Sequence, residues 1–179
     1  PSPLLTGRTG EALIEPTAKV DSTALITGGS RGIGKAICVQ LAKDSDYHIL
    51  INYNNNQSAA LETLKEVEAE GNTGEIIQFN VTDAEQVKTT LDVWQEKNKD
   101  ATIEVIVNNA GITEDNLAIR MSLDEWQKVI NINLTSTFLM SKFAIKKMLK
   151  NKSGKIVNIT SVVGHTGNLG QANYTASKA

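Results

Sequence analysis

Short apolar runs and longer amphipathic stretches alternate along most of the chain. Residues 23–27 read as a buried strand and 33–43 as a helix. A second apolar run at 48–52 precedes a helical pattern over 58–70, which Gly71 ends, and a third run at 75–79 precedes a helix over about 83–98. Thr82 and Glu85 stand before that helix at capping-box spacing, which satisfies two otherwise unpaired amide donors. A fourth strand is predicted at 103–107. A long helix over about 122–150 follows, opened by a second capping box, Ser122 with Glu125, and a fifth strand spans 155–159. Helix signals resume near Ala172. Short, nearly continuous apolar strands separated by helices predict βαβ units, hence an α/β fold of Rossmann type with a doubly wound parallel sheet. Sheets of this kind bind ligands beyond the C-terminal ends of their strands, where strand order reverses. The residues unusual for a packed core fall at those ends.

Composition narrows the function classes. With 40% hydrophobic and 21% charged residues, the 179-residue chain has ordinary globular composition and the length of one domain. The alternating pattern occupies residues 22–179. Residues 1–21 stand outside it as an N-terminal extension to which the sequence assigns no role. A net charge of −2 with the signs interspersed speaks against nucleic acid as a partner. No apolar run approaches the ~18–20 residues of a membrane span, and Glu11 and Glu15 argue against a transit peptide. Cys38 is the sole cysteine, so no intrachain disulfide forms and a reducing cytoplasm fits. No metal is expected.

The first strand runs into Thr27-Gly28-Gly29-Ser30-Arg31-Gly32-Ile33-Gly34. Glycines at 28, 32 and 34 let the backbone turn tightly and approach a pyrophosphate, which then meets the amides and positive dipole of a helix N-terminus. Their spacing, GxxxGxG, meets the general dinucleotide fingerprint only in part, and a plain strand-to-helix turn is the alternative. The second strand ends in Asn52-Tyr53-Asn54-Asn55-Asn56, without the Asp or Glu that NAD-binding sheets place there for the ribose. Arg31 is suited to a 2′-phosphate, which favours NADP, unless it is a solvated surface charge. Asn108-Asn109-Ala110-Gly111 puts small residues at the fourth strand's end, fit for a flat ligand against backbone or for a plain turn. Asn133 falls in register with the inward stripe Trp126, Ile130, Thr137, Ser141, Ala144 and Met148, where a buried amide needs partners. It either caps a local kink or holds a water for proton transfer. Ser161 follows the fifth strand, and Tyr174 and Lys178 share a helix face at i,i+4. A phenol titrates near ~10 unless a neighbouring cation stabilises the phenolate. Lys146, Lys147, Lys150, Lys152 and Lys155 cluster at the end of the long helix, either complementing its dipole or offering a basic face to an acidic partner.

These motifs, in this order, resemble the short-chain dehydrogenase/reductase family over residues 22–179. The stretches at 108–117, 130–135 and 161–174 are similar to the branch that reduces 3-oxoacyl groups on acyl carrier protein in fatty-acid synthesis. The resemblance implies a homotetramer using NADPH, with acyl carrier protein as the partner that brings the substrate. Tyr174 would be the general acid. Lys178 would lower its pKa and hold the nicotinamide ribose, Ser161 would orient the substrate carbonyl, and Asn133 would anchor a relay water. Gly28, Gly29, Ser30 and Arg31, with Gly32, Ile33 and Gly34 opening the helix, would hold the adenosine phosphates. Asn54 would lie near the adenosine ribose, Asn80 and Val81 near the adenine, and Asn109, Ala110 and Gly111 along the cofactor. The family places two further strands and a substrate-covering segment after the 174–178 helix. This sequence does not contain them, so these residues alone are expected to be unstable and inactive. A sibling reductase of acetoacetyl-CoA or another small carbonyl would share the same motifs. A non-catalytic dinucleotide-binding protein would not need Ser161, Tyr174 and Lys178 together.

Overall fold

The computed structural model describes residues 22–179; the predicted extension at 1–21 lies outside the described residues. The elements run β1 (Ser22–Ile26), α1 (Gly32–Asp44), β2 (His48–Tyr53), α2 (Gln57–Ala69), β3 (Gly74–Gln78), α3 (Ala84–Lys97), β4 (Thr102–Asn108) and α4 (Leu123–Ile130). A π-helical turn (Asn131–Thr135), α5 (Ser136–Asn151), β5 (Lys155–Asn158), α6 (Val163–Thr166) and α7 (Ala172–Lys178) complete the order. The five strands form one sheet in the order β3-β2-β1-β4-β5, and every pairing is parallel. This is the predicted doubly wound architecture. Strand order reverses between β1 and β4, which fixes where a ligand crevice opens.

The period-two rule splits the sheet's side chains into two cores. Leu25, Leu50 and Ile106 face α3 and α5, where Phe79, Leu91, Trp94, Met140, Ala144 and Met148 complete one cluster. Ala24, Ile26, Ile49, Ile51, Val105 and Val107 face the other way, onto Cys38, Ala42 and Val67 of α1 and α2. Cys38 is buried on α1, and burial pushes its thiol up to about 12. β5 forms an edge of the sheet among the described residues, with Val157 outward.

Three local expectations are corrected. The N-cap of α3 is Asp83, whose carboxylate accepts from Gln86 N at 2.9 Å, not Thr82. Thr82 instead donates its amide and hydroxyl to Asn80 Oδ1, so its oxygen is held in the preceding turn. The stretch predicted as one helix from 122 to 150 is two α-helices joined by the π-helical turn. Its buried stripe is Val129, Asn133, Ser136, Met140, Ala144 and Met148, with Trp126, Ile130, Thr137 and Ser141 only half-buried. The second capping box is present in full, Ser122 Oγ accepting from Glu125 N and the Glu125 carboxylate from Ser122 N.

Candidate active site

A cavity of about 630 Å³ opens beyond the C-terminal ends of β1, β2 and β4, within the range of small-molecule sites. Its lining joins the glycine loop (Gly28, Ser30, Arg31, Ile33, Gly34) with Asn54, Asn80, Val81, Asn109, Ala110, Gly111, Tyr174 and Lys178. The structure thus brings together most of the residues singled out by sequence. Gly29, Gly32, Asn133 and Ser161 lie outside the lining. A Cβ on Gly29 would meet Ile51 Cγ2 and Cys38 Sγ, so this glycine faces the core.

The glycine loop is held from two sides. Gly28 N donates to Asn52 Oδ1 at 3.1 Å and Gly29 N to the Asn52 carbonyl at 2.9 Å. From the β4 side, Asn109 Nδ2 donates to the carbonyls of Thr27 (2.9 Å) and Gly28 (3.2 Å). Thr27 Oγ1 accepts from the amides of Asn109 and Ala110 and donates to Val107 O, tying β1 to β4. Gly28 has φ +62°, and a Cβ there would stand 3.1 Å from Ala110 Cα, so backbone conformation and space both call for glycine. No side chain caps the first turn of α1, and no acidic residue stands in it, so its leading amides are left for an anion. Arg31 is exposed beside them and forms no ion pair among the described residues.

At the other end of the cavity, α7 presents Tyr174 and Lys178 on one face, both half-buried. Lys178 Nζ donates to Ile159 O, just past β5, at 2.8 Å, and burial pushes the ammonium down from its usual 10.5. A Cβ on Gly111 would stand 3.6 Å from Lys178 Nζ and 3.2 Å from Asn133 Oδ1, so a small residue keeps that corner open. Asn133 sits in the π-helical turn, a feature frequent at functional sites. Its Nδ2 donates to Ile112 O (3.0 Å) and Ser177 Oγ (2.9 Å), and its Oδ1 accepts from Ile112 N (2.8 Å). Both amide protons are committed inside the fold, so any water held here is held on an oxygen. Ser177 Oγ in turn donates to Tyr174 O at 2.8 Å, linking the widened turn to α7. Ser161 lies one residue beyond the lining residue Thr160, with its Oγ accepting from Val163 N at 3.3 Å.

Sequence reasoning missed four supporting residues: Asn52, Thr27, Ser177 and Asn173. Buried Asn173 donates to Glu114 O at 2.9 Å and accepts from Tyr174 N at 2.7 Å, which fixes the start of α7. A polar residue at the inward end of an apolar strand was the available signal for Asn52. Asn108 ties neighbouring elements together, donating to Asn158 Oδ1 on β5 and Ser141 Oγ on α5.

This parallel sheet, with its glycine turn and Tyr174-xxx-Lys178 helix, is one a known family builds. Residues 22–179 match the family model described as short chain dehydrogenase, and the chain belongs to that family. Among individual relatives it is 48% identical over 167 residues to the 3-oxoacyl-[acyl-carrier-protein] reductase of Synechocystis sp., an alignment covering 91% of this chain and 65% of that protein. It is 44% identical over 161 residues to the 3-oxoacyl-[acyl-carrier-protein] reductase FabG of Staphylococcus aureus, covering 90% of this chain and 64% of that one. The crystal structure of a putative gluconate dehydrogenase from Agrobacterium tumefaciens superposes with a TM-score of 0.83 at 34% identity, covering 89% of this chain and 62% of that chain. The chain therefore spans just under two thirds of the length of the curated relatives it matches.

Proposed function

We propose that the protein works as an NADPH-dependent reductase of 3-oxoacyl groups carried on acyl carrier protein. The observation that carries this reading is one cavity holding an open glycine loop, an uncapped helix N-terminus and the Tyr174–Lys178 pair. A dinucleotide fits that lining. The amides opening α1 would hold its pyrophosphate, Arg31 its 2′-phosphate, Asn54 its adenosine ribose, and Asn80 and Val81 its adenine. Asn109, Ala110 and Gly111 would lie along its length. When bound, NADPH supplies the hydride. The missing carboxylate at the end of β2 and the Arg31 guanidinium, without an ion pair among the described residues, support NADP over NAD.

In this mechanism Tyr174 Oη gives its proton to the carbonyl oxygen as carbon 3 becomes a secondary alcohol. Ser161 holds that oxygen by a hydrogen bond. Lys178, fixed on Ile159 O, brings positive charge to the phenol and to the nicotinamide ribose. Asn133 supports proton resupply through an oxygen, since both its N–H groups are engaged. Positioning and proton donation then carry the rate, the latter worth ~10²–10⁴-fold. The relatives' names support an acyl carrier protein as the partner. A homotetramer is supported by the exposed apolar stripe of Leu134, Phe138, Ile145 and Leu149 on α5 and the turn before it. No helix among the described residues is long and apolar enough to cross a membrane. The lone buried thiol supports the cytoplasm as location.

The test measures NADPH oxidation by the intact protein with acetoacetyl-carrier protein and with acetoacetyl-CoA. The carrier-bound substrate should give the higher kcat/KM, and Tyr174→Phe should lower kcat by roughly 100-fold or more while leaving NADPH affinity nearly intact. Retention of more than about a tenth of kcat would take Tyr174 out of the acid role. A preference for the CoA thioester would move the reading to a small-carbonyl reductase.

A further inference from the structure

Asn52 is the last residue but one of β2, and the residue is 2% exposed. It therefore does not project toward a ribose, as an acidic residue at a strand end would. It stands instead between two walls of the cavity. On one side it holds the glycine loop through Gly28 N and Gly29 N. On the other, Nδ2 donates to Phe79 O at 3.1 Å, with Ile77 O (3.4 Å) and Tyr53 O (3.3 Å) farther away. Phe79 leads directly into Asn80 and Val81, which line the cavity opposite the loop. One amide thus bridges β1's loop and the end of β3, across the top of the strand between them.

We infer that Asn52 is a positioning residue for the dinucleotide: it sets the separation and orientation of the glycine loop against the adenine-side wall. The inference rests on the dinucleotide reading of this cavity. The chemistry needs an amide. The loop side requires an acceptor and the β3 side a donor, and among side chains of this length only Asn presents both at fixed positions. With Gly28 N and Gly29 N taken up by Asn52, those two amides are not the ones offered to a phosphate. The amides opening α1 are left for that, and they point correctly only while the preceding loop is anchored. Asn52 touches no reacting atom, and its hold acts on both nucleotides equally because no part of it faces a 2′-phosphate.

Asn52→Leu removes donor and acceptor while keeping a branched side chain of the same number of heavy atoms, and Asn52→Asp keeps an acceptor for Gly28 but turns a second oxygen toward Phe79 O. Binding of NADPH and NADH is titrated by nicotinamide fluorescence in wild type and both variants, with amide exchange at Gly28 followed by NMR. The expected result is a rise of about tenfold in Kd for both nucleotides in Asn52→Leu, the size of one lost buried hydrogen-bond pair. Gly28 exchange should accelerate, and KM for NADPH should rise more than kcat falls. Asn52→Asp should weaken both nucleotides too, with Gly28 still protected, because only the β3 half of the bridge is lost. Should Asn52→Leu fail to fold, the Asn52→Asp titration decides. Unchanged affinity in a folded variant, or a loss confined to NADPH, overturns the inference. Wild-type protein that binds neither nucleotide would refute the cofactor reading itself.

Discussion

Replacing Gly34 by alanine tests whether the glycine loop is held as tightly as its hydrogen bonds indicate. An ideal Cβ at this position would stand 2.3 Å from Gly28 O and 2.5 Å from Asn109 Nδ2. Ordinary carbon–heteroatom contact begins near ~3.4 Å, so α1 and the loop must part by about 1 Å. Neither obstacle is the loose end of a flexible side chain. Gly28 O is backbone, and Asn109 Nδ2 is fixed on two carbonyls, of Thr27 and Gly28. A shift of that size breaks the longer of these bonds and carries Gly28 away from Asn52 Oδ1. Overpacking of this kind costs ~1–3 kcal/mol, partly offset by the ~1 kcal/mol by which alanine exceeds glycine in helix propensity. At about 2–4 °C per kcal/mol for a domain this size, Tm should fall by no more than roughly 8 °C. Cofactor binding should suffer more, because misplacing a phosphate cradle by about 1 Å is of the order that costs tenfold to 100-fold. Fluorescence titrations with NADPH and NADH, run beside thermal melts, measure both quantities. If a folded Gly34→Ala protein binds both nucleotides within twofold of wild type, the loop yields freely and the clamp of Asn52 and Asn109 does not set the cofactor's place.

Arg31→Ala should weaken NADPH by about 1.5–3 kcal/mol, one to two decades in Kd, and leave NADH unchanged; equal losses would show that the guanidinium does not read the 2′-phosphate. Phe138, 61% exposed in the middle of the apolar stripe, should on replacement by Glu shift a tetramer toward smaller species in analytical ultracentrifugation, and an unchanged sedimentation coefficient would remove this face from the assembly. Burial alone would push the Glu75 carboxyl up, but hydrogen bonds from His48 and Trp94 outweigh it and hold it below its usual 4.5. A depressed carboxyl pKa stabilises the fold above the unfolded value and loses that stabilisation as pH falls through the folded one. Wild type should therefore lose stability below about pH 4.5 more steeply than Glu75→Gln in urea melts, by less than ~1 kcal/mol because the side chain is 42% exposed. Parallel pH profiles would count against the His48–Glu75–Trp94 link.

The features legible in the sequence were those decided within a few residues of themselves. Ser122 and Glu125 close a capping box across one turn, and Tyr174 and Lys178 share a face because a helix repeats nearly every four positions. The order of strands and helices follows the same way, from runs of apolar residues and their periods. What was missed depends on partners distant along the chain. Asn52 meets Gly28 across 24 positions, Asn133 meets Ser177 across 44, and Thr27 meets Asn109 across 82. A local pattern holds no record of such pairings, although a polar residue closing an apolar strand marks where one is needed. The π-helical turn escaped for a related reason. The predicted and observed inward stripes share Asn133, Ala144 and Met148, and the contact that singles out the turn, Ile112 on the β4–α4 connection bonding to the amide of Asn133, lies outside any local pattern. Even Asp83 displaced Thr82 as a cap because Thr82's hydroxyl was already bonded to Asn80. The side chains expected to do chemistry could thus be named from short motifs, whereas the side chains that hold them in place became visible only once the sheet had brought β1, β2 and β4 together.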